Sequence, residues 1–309
     1  MSIFKTFIFL ISSALIPIST SANSLLRDAD IENALTKLAN PILQAAGLSP
    51  SSIKILLVNS SRPNAFIIDN KHIFITSGLA LKTGTPEMLQ SIVAHEAAHI
   101  AYGHTTRRSK NLSDARSLAT FGLALGVIAG TVGGNYELGS SIALGASGSS
   151  HRNFLAHTRA EESAADQAAM SYMAAARIDG KGMMDVLDIF LGQENLSSAL
   201  QDPYARSHPL TRDRKRIVRQ RVDSQPIPRN NQNAQYWHAR AVGKLSAFIN
   251  SPEWTLKNAK KSSYEDIGHI RKAVAYSRKG KLTSALSEID KALQNQPNDA
   301  YLQDLKAEL

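Results

Sequence analysis

Two histidines at helical spacing form the strongest chemical signal in this sequence. His95 and His99 flank Glu96 and two alanines, giving His-Glu-Ala-Ala-His. On a helix, residues four apart lie one turn apart on the same face, so both imidazoles can reach one metal ion. Glu96 lies beside them, where its carboxylate can take a proton from a metal-bound water. Because imidazole and carboxylate ligands suit zinc, and zinc lowers the pKa of its water, the motif predicts one Zn²⁺ per chain and a hydrolytic reaction.

The competing interpretation of this motif is a pair of exposed histidines on a solvated helix. The helix is predicted to begin at Thr85, with Pro86 in its first turn, and to end near Tyr102, before Gly103. Its other positions include five large apolar residues: Met88, Leu89, Ile92, Val93 and Ile100. This pattern predicts a buried helix, and buried His and Glu side chains need polar partners. The surroundings therefore favour a metal site.

A catalytic zinc needs a third protein ligand and one open position. The extended metzincin pattern requires Gly and His where this chain has Tyr102 and Thr105, so that subclass is excluded. Further along, Glu162 and Asp166 are four residues apart in an alanine-rich helix. One carboxylate can bind the ion while the other holds the N–H of a ligand histidine. A solvated acidic face would leave the flanking alanines unexplained, whereas small residues let two helices approach closely.

The elements around these motifs predict an α+β fold that is mostly helical, with one small β-sheet. A helical period covers residues 31–42, with Pro41 at its end, and residues 53–58 read as a strand. Residues 65–68 and 72–76 are predicted to form a hairpin around Asp69-Asn70-Lys71. The following segments are expected to be helices at 159–177, 183–191 and 212–222, with a loop at 202–209.

The N-terminal residues predict export. Lys5 precedes an apolar run at 6–18, and the small residues 19–22 follow, which is typical of a secretory signal peptide cleaved after Ala22. A membrane anchor is the alternative, but this run is short for a span of about 20 residues. The chain contains no cysteine. A disulfide scaffold, a Cys-type zinc site, a cysteine nucleophile and a lipidated N-terminal Cys are therefore excluded.

The charge of the chain is strongly positive. Lys and Arg number 35 against 26 Asp and Glu, a net charge of +9. Residues 206–278 hold 16 basic and five acidic side chains. This excess suits an anionic partner such as a membrane surface or an acidic polypeptide, although a plain solvated surface is an open alternative, and export argues against nucleic acid. The uncharged segment 117–136 is either a membrane-touching or gating hairpin or a closely packed helix pair, and the pattern favours the pair.

The C-terminal residues have the spacing of a tetratricopeptide unit. The matching positions are Tyr276, Gly280, Leu282, Ala285, Ile289, Ala292, Leu293 and Pro297. Residues 300–309 resemble the opening helix of a second unit, and an ordinary helical hairpin is the alternative. The predicted organisation is a signal peptide at 1–22, a metallopeptidase domain at 23–223, a linker and connecting helix at 224–264, and a tetratricopeptide-like segment at 265–309.

Three sequence blocks together resemble the HtpX/CAAX-prenyl-protease type of zinc metallopeptidase, and in particular its exported subgroup with a C-terminal tetratricopeptide region. The blocks are 64–66 through 73–79, then 94–99 with His104, then 159–162 with Ala165 and Asp166. The pair His208-Pro209 also matches. The resemblance covers about residues 26 to 219 and implies a zincin-type domain. Members of the subgroup usually carry several repeats, whereas this chain ends within the second, which bears on partner recruitment and not on zinc chemistry.

The resemblance implies a role for each site residue. His95, His99 and Glu162 would bind zinc, Glu96 would be the general base, Asp166 would hold a ligand histidine, and His104 would support the site or pack beside it. His208 has three open roles: a donor to the oxyanion, a ligand that fills the open zinc position and keeps the enzyme latent, or a structural histidine. In zinc peptidases an edge strand before the zinc helix binds substrate backbone, which predicts substrate contacts at Ile73, Phe74, Ile75 and Thr76.

The function implied is that of a periplasmic zinc metalloendopeptidase in protein quality control. Its substrates would be unfolded or misassembled outer-membrane proteins, and its helical tail would contact the outer-membrane assembly machinery. The alternative is a zinc-stabilised, non-cleaving chaperone or adaptor with a tetratricopeptide interaction surface. A structural zinc site needs no general base, so Glu96 favours the enzyme. A membrane-embedded prenyl-protein or heat-shock protease would need several long spans, and the sequence after Asn23 contains no convincing one.

Overall fold

The computed structural model describes residues 25–104, 159–197, 200–209, 212–225 and 228–309. The predicted signal peptide and the uncharged segment 117–136 lie outside these ranges. The helices are α1 Ala29–Ala45, α2 Ser77–Ala80, α3 Pro86–Ala101, α4 159–175, α5 Lys181–Ile189, α6 Pro203–Ser207, α7 Arg212–Asp223, α8 Gln232–Ile249, α9 Pro252–Ala259, α10 Glu265–Arg278, α11 Leu282–Asn295 and α12 Ala300–Glu308. The strands are β1 Leu25–Leu26, β2 Lys54–Val58, β3 Ala65–Ile67 and β4 His72–Thr76. The predicted α+β, mostly helical fold is therefore confirmed.

The four described strands form one sheet in the order β1-β2-β4-β3. β3 and β4 form the predicted antiparallel hairpin, with Phe66 opposite Phe74, and β4 pairs in parallel with β2. The prediction that β4 is an edge strand is wrong, because β4 lies between β2 and β3. Among the described strands, β3 is the one at that edge of the sheet. Strand order depends on long-range pairing, which the local alternation of β4 does not encode.

Helix α3 forms as its sequence predicts. The Thr85 hydroxyl accepts a hydrogen bond from the Met88 amide at its start, and Pro86 occupies the first turn. The helix ends at Ala101, and Gly103 follows with a φ of +65°, a conformation that glycine adopts without strain. α3 packs against α1, α5, α8 and the sheet, and its middle turns are buried. Its histidines are therefore held inside the domain.

Two expectations about other elements are corrected. Pro41 does not end α1, which continues to Ala45 because Ile42 and Leu43 are buried in the core. The predicted loop at 202–209 contains α6, which begins at Pro203. A five-residue helix is too short to leave a periodic pattern.

Gly182 permits close packing of α5 against the start of α3. A Cβ atom at Gly182 would lie 2.4 Å from the backbone carbon of Glu87. This contact sets the distance between α5 and the helix that carries the two histidines.

The C-terminal helices form a second apolar cluster, and α8 contributes to both clusters. Ala241 and Leu245 of α8 pack in the main core, whereas Ala247 packs with the residues of α10, α11 and α12. The buried Arg240 side chain donates to Asp30 of α1 through Nε at 2.7 Å. The helical hairpin α10–α11 lies where the repeat pattern predicts it, and its assignment as a tetratricopeptide unit stays a prediction. Within the described ranges, no helix has the length and apolarity needed to cross a membrane.

Candidate metal centre

Three helices bring four potential metal ligands into one buried cluster. α3 supplies His95 and His99, α4 supplies Glu162, and His208 follows the last turn of α6. One nitrogen or oxygen atom of each side chain lies within 4.8 Å of the other three. All four side chains are buried.

The distances between the ligand atoms fit a tetrahedral zinc ion. His95 Nε2 lies 3.1 Å from His99 Nε2, from Glu162 Oε2 and from His208 Nδ1. Glu162 Oε2 lies 2.9 Å from His208 Nδ1, and Glu162 Oε1 lies 3.4 Å from His99 Nε2. Ligands at the usual zinc distance are separated by about 3.3 Å in a tetrahedron. Three imidazoles and one carboxylate converging in this way are the donor set that zinc prefers.

The electrostatics of the cluster favour a positive charge at its centre. Burial alone lowers the pKa of His95, but the Asp166 and Glu162 carboxylates outweigh it and raise that pKa to about 9. Burial lowers the pKa of His99 to about 3, so this imidazole is neutral and available as a ligand. Burial would raise the pKa of Glu162, but the three histidines hold it well below its ordinary value. The carboxylate is therefore ionised, as a metal ligand must be.

Two predicted supporting residues lie behind the ligand histidines. Asp166 Oδ1 is 3.0 Å from Nδ1 of His95, on the side of the ring away from the other ligands. His104 Nδ1 is 2.8 Å from Nδ1 of His99. Such partners fix the orientation and tautomer of a ligand imidazole.

Glu96 is a buried carboxylate aimed at a cavity. Its side chain is fully buried, and neither oxygen has a hydrogen-bond partner among the described residues. The cavity has a volume of about 220 Å³, and its wall comprises Phe66, Ile67, Glu96, His99, His104, Ser207 and His208. A carboxyl group without a hydrogen-bond partner is costly to bury. A water or a polar substrate group in the cavity would satisfy it.

The ring of His208 lies between the ligand cluster, Glu96 and the sheet. Its Nδ1 faces Glu162 and His95, while its Nε2 is 3.5 Å from Glu96 Oε1 and 3.3 Å from the carbonyl oxygen of Ala65. Below it, the ring of Tyr204 lies with its centroid 4.7 Å away, and Phe190 stacks on Tyr204. His208 therefore closes the cavity from the side of α6.

The predicted substrate residues of β4 are not at the cavity. Ile73 and Ile75 are fully buried, and the Thr76 hydroxyl contacts the Asn64 backbone and receives the Leu79 amide at the start of α2. The strand residues that line the cavity are Phe66 and Ile67 of β3. This difference follows from the strand order described above.

Sequence reasoning missed Arg214 and Tyr204. Arg214 is buried in the predicted basic helix, where its guanidinium pairs with Asp166. One signal could have marked it: Arg214 precedes the apolar Val218 by one turn, so both face inward. Burial and the nearby Glu96 carboxylate raise the pKa of Tyr204 well above its ordinary value, so its phenol stays protonated.

Comparison with known proteins agrees with this geometry. The chain is 20% identical over 293 residues to the beta-barrel assembly-enhancing protease of Escherichia coli K12, which covers 92% of this chain and 59% of that protein. It is 23% identical over 290 residues to the protein of that name from Yersinia pestis, and 22% identical to a putative one from Vibrio cholerae. The chain thus spans 59% of the length of these relatives. Residues 25–222 match the profile described as Peptidase family M48, whose members are zinc-dependent metallopeptidases. The chain therefore belongs to peptidase family M48.

Proposed function

We propose that this protein is an exported zinc-dependent endopeptidase that hydrolyses unfolded or misassembled outer-membrane proteins. One observation carries the proposal: the buried Glu96 carboxylate faces the cavity next to the cluster of His95, His99 and Glu162. A structural metal site does not require such a carboxylate. The names of the relatives, which describe a protease that enhances β-barrel assembly, support this class of substrate.

Each residue near the cavity has a proposed task. His95, His99 and Glu162 would hold zinc, which supplies Lewis-acid polarisation of the scissile carbonyl and of a water. Glu96 takes a proton from the attacking water and delivers it to the leaving amine. Asp166 and His104 orient the ligand imidazoles.

Substrate backbone would bind along the edge of β3. The Asn64 carbonyl accepts from the Thr76 amide, so alternation along the strand turns the backbone groups of Ala65 and Ile67 away from β4. These groups can pair with an extended polypeptide that adds to the sheet. Recognition through the backbone selects unfolded segments with little dependence on their side chains.

His208 is proposed to keep the resting enzyme closed. It supplies a fourth ligand atom and lies against both Glu96 and the outward carbonyl of Ala65. A substrate would need the fourth ligand position, the space beside Glu96 and the carbonyl oxygen of Ala65. Of the three roles open to His208, the geometry therefore favours a removable ligand.

The protein is proposed to work at the cell envelope and to contact a membrane surface and other proteins there. The predicted signal peptide at 1–22 supports a periplasmic location, and the names of the relatives refer to β-barrel assembly. α7 exposes Arg212, Arg216, Arg219 and Arg221, which supports contact with an anionic membrane surface. The tetratricopeptide-like segment 265–309 would recruit the assembly machinery.

A second candidate function is a zinc-stabilised chaperone or adaptor that does not cleave. The closed set of four protein ligands favours it, because structural zinc sites are typically closed. The test uses the chain from residue 23 as wild type, Glu96→Gln and His208→Ala, with Glu87→Gln as a control in the first turn of α3. Bound zinc is measured by atomic absorption, and cleavage of unfolded casein by gel.

The peptidase proposal predicts one zinc per chain in all four proteins. It predicts cleavage by the wild type, more cleavage by His208→Ala, and none by Glu96→Gln. Zinc without cleavage in every protein would establish the chaperone candidate instead. Absence of zinc from the wild type would overturn both.

A further inference from the structure

Arg214 joins the ligand helix α4 to the segment that carries His208. On one side, its Nε and Nη2 donate to Asp166 at 2.6 and 2.9 Å, a bidentate pair. Asp166 in turn lies against Nδ1 of His95. This pair anchors the guanidinium to the metal centre, because a buried fork-to-carboxylate contact has a fixed geometry.

The remaining nitrogen of Arg214 holds backbone on the other side of the site. Nη1 donates to the carbonyl oxygens of His208 at 3.1 Å and Pro209 at 2.9 Å. His208 has left the helical conformation, with φ −124° and ψ 70°. Its own amide donates to the Tyr204 carbonyl at 2.8 Å. The position of the His208 ring therefore depends on backbone that Arg214 holds.

We propose that Arg214 is a positioning residue that keeps the His208–Pro209 backbone closed over the metal ligands, whether or not a metal is bound. The effect of this closure on catalysis rests on the proposed function, whereas the closure itself does not. To open, the segment must break the two Nη1 hydrogen bonds, whereas the Asp166 pair can stay intact. Nη1 also lies 3.5 Å from Glu162 Oε2, a charge contact that a lysine can replace. In holding the segment closed, Arg214 thus acts through His208 and does not touch substrate.

An arginine-to-lysine substitution can distinguish the two roles of residue 214, which are to balance the charge of Asp166 and to hold the His208–Pro209 backbone. A lysine at 214 keeps a positive charge near Asp166, but its single ammonium lacks the planar fork needed to reach both carbonyl groups as well. Arg214→Lys should therefore preserve charge compensation and release the backbone. Arg216→Lys is the matched control, since Arg216 is exposed on the same helix.

The first measurement needs no substitution. Amide hydrogen exchange of residues 204–208 is followed by mass spectrometry in zinc-loaded and chelator-treated wild-type protein. Closure by Arg214 predicts that this segment stays protected after zinc removal. If closure came from coordination by His208 alone, chelation would expose the segment, and the proposal would be overturned.

The second measurement compares the variants. In Arg214→Lys the segment should exchange about tenfold faster in both metal states, since hydrogen bonds from a charged donor are lost. The absorption spectrum of the Co²⁺-loaded variant should change from that of the wild type, because His208 leaves the ion. Unchanged exchange and spectrum in a folded Arg214→Lys protein would show that Arg214 only neutralises charge.

The catalytic consequence is tested by a double substitution. Arg214→Lys should raise casein cleavage in the wild-type background and add nothing in His208→Ala, because it acts through His208. Equal effects in both backgrounds would contradict this. If no protein cleaves casein while the exchange and Co²⁺ results hold, the peptidase proposal fails and the positioning role of Arg214 stands.

Discussion

His208 Nε2 lies 3.3 Å from the carbonyl oxygen of Ala65, so one imidazole connects the ligand cluster to β3, the edge strand among the described residues. A docked peptide would place its own backbone amide at that carbonyl. In the proposed function, the histidine side chain thus occupies a position that a substrate would need.

Replacement of His208 by alanine should therefore increase proteolysis. Three protein ligands remain, and they suffice for a catalytic zinc with one open position. We expect a higher kcat for casein cleavage and unchanged zinc content, measured on the same preparation. A fall in kcat with intact zinc binding would instead identify His208 as a donor to the oxyanion.

Asp166→Asn should weaken metal binding. The substitution removes the carboxylate that faces His95 Nδ1, and loss of such a partner typically costs about 10- to 100-fold in metal affinity. Competition with a chromogenic chelator measures the change. Asp213→Asn, at an exposed position of α7, should leave the zinc affinity as it is.

Ile67→Pro tests the edge of β3. Because the Ile67 amide points away from β4, proline should preserve the hairpin while removing a donor to the substrate. We expect KM for an unfolded substrate to rise by about tenfold, the cost of one lost hydrogen bond. Ile67→Ala, which truncates the side chain but keeps the amide, should change KM much less.

Gly182→Ala should destabilise the protein. The new methyl group would collide with the backbone at Glu87 and push α5 away from α3, at a cost of about 1–3 kcal/mol in the free energy of unfolding. Urea denaturation gives this value. Gly84→Ala, whose nearest contact would be Met88 Sδ at 3.9 Å, should cost clearly less.

His238 should make stability depend on pH. Burial lowers its pKa to about 4, and its Nε2 lies 3.1 Å from the Thr83 hydroxyl. Between about pH 6.5 and 4 the unfolded chain binds a proton that the folded protein does not, so stability falls as the pH falls through this window, by up to about 3 kcal/mol. Urea denaturation at pH 7.5 and 5 should show a smaller loss for His238→Gln than for the wild type. If both proteins lost the same free energy of unfolding between pH 7.5 and 5, His238 would not be the cause of the pH dependence.

The clustering of the predicted ligand residues could be foreseen because it follows from local rules. His95 and His99 share a helix face through their spacing, and Glu162 and Asp166 do the same on α4. Other features depend on contacts between distant segments. β4 lies inside the sheet because it pairs in parallel with β2. The alternating pattern of a strand does not predict which strand it will pair with. Arg214 is one of several basic residues on its helix, and apart from its spacing from Val218 it is distinguished from them by burial against Asp166.

Because β3 is short, only a short stretch of polypeptide can pair with this edge of the sheet. Its three residues span about 10 Å, and only Ala65 and Ile67 turn their backbone groups outward. Strands in folded proteins are usually five or six residues long, and in a closed β-barrel each strand is paired on both sides. A stretch of about three residues becomes available only where a chain has failed to complete its own sheet. If the proposed function holds, the edge would select a barrel strand that has not yet found its partner by its exposed backbone and not by its sequence.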